Sequence, residues 1–113
     1  MSKRIQRVNQ LLKEELGQIL LKEVEFPKGT LVTITRVEAS LDLKQAKVYI
    51  SCIPEKEGVK IFQILNKKAF FLQQKIHKLL SMKIVPKIKF VEEKETKTAA
   101  RIEELLEKIK RND

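Results

Sequence analysis

A chain of 113 residues with 42% hydrophobic side chains is long enough for one buried core, too short for two domains and too apolar for wholesale disorder. Its longest apolar runs are three or four residues, and it holds one cysteine and one histidine. These features exclude a long apolar membrane-spanning helix, an internal disulfide, a His/Cys zinc cluster and a Cys-His dyad of the usual kind. The net charge of +9 is concentrated, because residues 58–91 carry eight lysines and no acid, a distribution that calls for a polyanionic partner.

In chain order, Ile5, Val8, Leu11, Leu12, Leu16, Ile19 and Leu20 recur at helical period over residues 4–24. Ser2 is a candidate cap, and Pro27 and Gly29 end the pattern. Leu31 to Ala39 is rich in β-branched residues and reads as a strand. Its apolar parity switches between Ile34 and Val37, which calls for a bulge or burial on both faces. Ser40-Leu41-Asp42-Leu43 supplies a turn. Ala46, Val48, Ile50 and Cys52 then alternate with Lys47, Tyr49 and Ser51 as a second, antiparallel strand that Pro54 stops.

From Gly58 the period is helical again. Phe62, Leu65, Ala69, Leu72, Ile76 and Leu79 form the expected inward stripe, widened by Phe70 and Phe71. The segment is one long helix or two joined near Lys67–Ala69. Ile84, Ile88 and Phe90 read as a third strand, in which Pro86 demands an edge position or a bulge. Ile102, Leu105, Leu106 and Ile109 mark a C-terminal helix over about 98–110, with Thr98 as its cap. Residues 1–113 thus read as one α+β two-layer domain with a core over about 4–93, a three-stranded sheet covered on one face by helices.

Catalysis has little to build on. The glycines at 17, 29 and 58 stand alone and make no phosphate loop. Adjacent carboxylates on a helix diverge by about 100°, so the Glu pairs are not acid/base dyads. His77 reads as a surface residue and Cys52 as a small core residue. The expectation is a non-enzymatic protein that needs no cofactor and no metal, with no small-molecule substrate, working as a monomer in the cytoplasm and not on a membrane.

Binding has more support. Lys67, Lys68, Lys75 and Lys78 flank the inward stripe or face away from it, and Lys83, Lys87 and Lys89 extend the charge beyond the helix. Ammonium groups arrayed this way suit a phosphate backbone and carry little sequence information. Phe62, Phe70, Phe71 and Phe90 read as core, so stacking of single-stranded bases has weak support. Recognition of folded RNA by shape and phosphate fits better.

The order helix-strand-strand-helix-helix-strand resembles the type II KH domain, without that family's GxxG clamp. Ser40-Leu41-Asp42-Leu43-Lys44-Gln45-Ala46-Lys47-Val48-Tyr49 is similar to the S-x-D-L-x-x-A-x-V-Y signature of the ribosome-binding factor A family. Arg7-Val8, Val32 to Val37 and Ile84 to Phe90 fall where that family has similar motifs. The resemblance covers about residues 4–110. The chain departs from the family pattern at Lys68 and Phe70, where small residues form a helix kink, and at Gln73, where an arginine stands.

This resemblance implies a non-catalytic assembly factor that binds the immature small ribosomal subunit and its rRNA. It would assist late maturation and 5′-end processing of that rRNA and matter most in the cold. The RNA-binding face is then expected to comprise Arg4, Arg7, Lys67, Lys68, Lys75, Lys78, Lys83 and Lys87. By themselves the residues also fit a general nucleic-acid-binding module without a ribosomal target, or a domain that docks an acidic protein.

Overall fold

The structure is a computed structural model that describes residues 3–93; Ser2 and the helix expected over about 98–110, with Thr98 as its expected cap, lie outside that range. α1 spans Lys3–Glu23 and buries Ile5, Val8, Leu12, Leu16, Ile19 and Leu20. Leu11, expected in the stripe, is partly exposed. Asn9 accepts the Ala39 amide at 2.8 Å and ties α1 to the end of the first strand.

β1 (Leu31–Ala39) pairs antiparallel with β2 (Gln45–Ile53). Ile34 faces Ile50 and Arg36 faces Tyr49, so Thr35 is an extra residue at a bulge. That bulge lets Ile34 and Val37, three apart, both enter the core, which decides between the two expectations for this strand. In the connecting turn Ser40 Oγ donates to Asp42 Oδ1 at 2.6 Å, and the Lys44 amide donates to the same oxygen at 3.0 Å. Leu43 adopts φ 59 and is buried. Ala46, Val48 and Ile50 are buried as the alternation requires. Cys52 is only half-buried at the edge of the core, with its Sγ 3.9 Å from the Pro54 carbonyl.

A 3-10 turn (Glu55–Glu57) leads into α2 (Gly58–Lys67) and α3 (Ala69–Leu79). Two helices are therefore present, broken at Lys68 with φ −92 and ψ 2. The observed burial corrects the expected stripe. Ile61, Leu65, Leu72, Ile76 and Leu80 are the buried positions, whereas Phe62 and Ala69 are half-buried and Leu79 is exposed. Phe70 is 77% and Phe71 37% exposed, so neither is core. Ile61, Leu65, Leu72, Ile76 and Leu80 step by four, seven, four and four and so keep one helical face across the break; Phe70 and Phe71 lie off that face, and apolar character alone misassigns them.

β3 spans Lys87–Glu92 and runs parallel to β2, giving the order β1-β2-β3. The expected strand began earlier; Ile84 lies outside it and is exposed, and Pro86 is buried immediately before it. Proline lacks the N–H that a ladder uses, so the strand starts one residue later. A parallel pair needs a long crossover, and α2 and α3 supply it. All three helices bury their apolar faces against Ala46, Val48, Ile50 and Phe90 in one core.

At the bulge, Arg36 Nε donates to Glu93 Oε2 at 2.8 Å, and the Thr35 hydroxyl donates to the same oxygen at 2.8 Å. Arg36 also lies 3.9 Å above the Tyr49 ring. Glu93 is 2% exposed, so its charge is offset by the guanidinium beside it. The Tyr49 phenol is pushed above its ordinary value, chiefly by hydrogen bonding to the Glu38 carboxylate.

Candidate nucleic-acid interface

The lysines of the central segment are set in space by α3 and its two ends. Phe71, Lys75 and Lys78 fall on one side of α3 through i, i+4 and i, i+3 spacing. The Phe71 ring has the Lys68 ammonium 5.4 Å and the Lys75 ammonium 5.6 Å from its centroid. Cation–π attraction at these distances steadies two like charges that would otherwise separate. Lys75 Nζ also lies 3.5 Å from Glu23 Oε1 across the α1–α3 seam. Lys75 is therefore half-buried and ion-paired, not the free outward charge expected from the sequence.

Lys78 lines a groove of about 340 Å³ between α1 and α3, together with Lys75, Lys22 and Leu79. Glu15 and Glu23 line the same groove, so its charge is mixed and only its α3 wall is purely basic. Lys67 lies at the end of α2 and lines, with Lys60, Ile64 and Pro27, an open surface groove of about 640 Å³. Lys68 stands at the junction itself, as C-cap of α2 and N-cap of α3 with no side-chain cap, so the opposed ends of the two helix dipoles meet there and its own ammonium is the charge it presents.

Lys83 is exposed in the link between α3 and β3, and Lys87 is exposed at the first position of β3. Arg4 and Arg7 are exposed on the first turns of α1. Among the described residues, Arg4, Arg7, Lys67, Lys78, Lys83 and Lys87 make no ion pair with a described carboxylate. Lys75 with Lys78, and Lys68 with Lys75 across Phe71, are the pairs of expected site residues that contacts bring together. No contact joins the α1 arginines to them.

The sequence reading missed Lys22 and Lys47. Lys22 reaches Lys78 only because α1 packs on α3. Lys47 stands opposite Lys89 in the β2–β3 register, and the two line a groove of about 540 Å³ with Phe62 and Glu92. The outward alternation of β2 was the available signal for Lys47. Phe70 is missed when apolar character alone is read, since its spacing from Leu65 and Leu72 sets it on the far side of the helix.

A further groove of about 490 Å³ between β2 and α2 is lined by Cys52, Glu55, Gly58, Phe62, Asn66 and Glu92, among others. Its lining includes no histidine, lysine or arginine, so it offers a phosphate no cation. His77 is exposed on α3. Among the described residues, no three His, Cys, Asp or Glu side chains gather to hold a metal ion, and no helix is long and apolar enough to cross a membrane.

Comparison with known proteins bears on what this surface serves. The sequence model of ribosome-binding factor A matches residues 4–106. The ribosome-binding factor A of Thermodesulfovibrio yellowstonii is 38% identical over 109 residues, covering 96% of this chain and 92% of its relative. That of Nitrosococcus oceani is 32% identical, covering 93% and 84%. The solution structure of a Thermotoga maritima protein described as a putative ribosome binding factor A has a TM-score of 0.55 at 31% identity, covering 74% of this chain and 84% of that one. A Thermus thermophilus ribosome binding factor A homology model, fitted into a cryo-EM map of a 30S complex, has a TM-score of 0.63 at 24% identity, covering 74% and 88%. The match over nearly the whole chain, together with the shared fold, places this chain in the ribosome-binding factor A family.

Proposed function

We propose that the chain binds the immature small ribosomal subunit through the phosphate backbone of its rRNA and assists late maturation, including processing at the 5′ end. It acts as a monomer in the cytoplasm, without catalysing a reaction, and is needed most in the cold. The observation that carries this reading is the acid-free lysine segment on and around α3, whose Lys67, Lys78, Lys83 and Lys87 pair with no described carboxylate. Family membership supports the ribosomal target, as does the 30S complex of the Thermus relative. Lysine ammoniums act as point charges on phosphates and hold a folded RNA without reading its bases.

The test is sedimentation of the tagged protein through a sucrose gradient of cell lysate at low magnesium and several salt concentrations. Comigration with free small subunits enriched in unprocessed rRNA is the expected result. Neutralising four to six phosphates gives a log–log salt slope of roughly −3 to −5. A protein that stays at the top of the gradient at every salt concentration has another partner, and competition by duplex DNA then identifies a general nucleic-acid binder.

A further inference from the structure

We propose that Phe70 is a stacking platform for one unpaired nucleobase of the bound RNA, with Lys67 and Lys68 holding the phosphates on either side. This deepens the RNA-binding reading and rests on it. Phe70 is 77% exposed, the most exposed phenylalanine among the described residues. It is the second residue of α3, directly after the break at Lys68. Leaving such a ring in water forgoes the free energy of its burial, so a ligand that covers it gains that driving force.

The charge around the ring selects the ligand. Phe70 lies in the segment of eight lysines and no acid, one residue beyond Lys67 and Lys68, and α3 begins between them at Ala69 with no side-chain cap. A purely apolar partner would desolvate these ammoniums without compensation. A single strand offers both a flat π-face and a phosphate at each nucleotide, and stacking of this kind tolerates any base. A base inside a duplex has both faces covered, so the target is an unpaired residue. Phe71 does not share the role, because its ring already holds the Lys68 and Lys75 ammoniums. Its contribution is to position those lysines.

The experiment uses the full chain and a short single-stranded oligoribonucleotide carrying 2-aminopurine, whose fluorescence is quenched when it stacks. Wild type and Phe70→Trp should quench it. Phe70→Ala should lose the quench and bind roughly 5- to 150-fold more weakly, the range measured for loss of one base–aromatic stack. Its unfolding midpoint should match wild type, since the ring is exposed. Equal quenching by wild type and Phe70→Ala would overturn the proposal, as would a Trp variant that binds no better than Ala. A Phe70→Ala protein that keeps its RNA affinity but loses a nuclease-resistant complex would show that the ring docks on protein, and the proposal falls. Sedimentation of the same proteins with small subunits separates the two readings. A wild type that quenches but does not comigrate retains the platform and loses the ribosomal target. A wild type that comigrates without quenching retains the target and loses the platform.

Discussion

Gln73 on α3 and Ile88 on β3 are joined as if a fourth strand stood between them: the Gln73 Oε1 accepts the Ile88 amide at 2.9 Å. Its Nε2 donates to the Pro86 carbonyl at 3.0 Å. One side chain thus satisfies a donor and an acceptor on the edge of β3 that faces away from β2, where Pro86 and the chain reversal leave the ladder short. The arginine of the family pattern offers donors but no acceptor for the Ile88 amide.

Gln73→Ala should therefore lower the unfolding free energy by about 1–3 kcal/mol, the penalty of leaving partly buried backbone groups unpaired. Gln73→Arg should fall between Ala and wild type, because it restores only the bond to Pro86. Urea denaturation of the three proteins measures this, and an Arg variant as stable as wild type would show that the Ile88 amide finds another partner.

Leu43 combines φ 59 with a buried side chain. A left-handed backbone costs a non-glycine residue roughly 1–2 kcal/mol, which burial of the leucine offsets. Leu43→Ala should lose about 2–5 kcal/mol. Leu43→Gly should be no less stable than Leu43→Ala, the reverse of the usual order, since glycine relieves the strain. Thermal or chemical melts of the two variants decide the point.

Asp42 is held below the usual carboxylate range, first by the Ser40 hydroxyl and then by the Lys44 amide. A depressed folded pKa means that the ionised turn contributes stability above the ordinary aspartate value of about 3.9 and loses it as pH falls through the lower folded value. The Lys44 amide resonance should titrate over that acid range. In Asp42→Asn the titration should vanish; persistence would assign it to another carboxylate.

Lys78 and Lys75 differ in what surrounds them. Lys78 has no carboxylate partner among the described residues, whereas Lys75 is already 3.5 Å from Glu23. Removing Lys78 should reduce the magnitude of the salt slope of RNA binding by about 1. Lys75→Ala should change it less, because that charge is partly neutralised before RNA arrives. Both variants should stay folded, as the Lys75–Glu23 pair is exposed enough to be worth about 1 kcal/mol or less. Filter binding across a salt series reads both slopes.

Arg36 neutralises the buried Glu93 while its guanidinium stacks on Tyr49. Arg36→Ala should destabilise the protein by about 2–3 kcal/mol, less than for a fully buried pair because Arg36 keeps 37% of its side chain in solvent. Arg36→Lys should recover part of this loss through charge alone. A double variant, Arg36→Ala with Glu93→Gln, should be more stable than Arg36→Ala if the stranded carboxylate is the cause.

The sequence by itself determined the elements whose cause is local. The α1 stripe, the alternation of Ala46, Val48 and Ile50, and the turn built on Ser40 and Asp42 each follow from side chains within a few residues of one another, while the parity switch between Ile34 and Val37 left a bulge and burial on both faces open. The concentration of lysines was also legible, because charge does not depend on packing. Only the tertiary structure decided what depends on distant partners. Packing on the sheet selects Leu80 over Leu79 and leaves Phe70 outside the core. Parallel pairing of β3 with β2 sets Lys89 beside Lys47, and packing of α1 on α3 sets Lys75 against Glu23. Periodicity carries the direction of a side chain only as far as the backbone stays regular, and no local pattern encodes which elements meet.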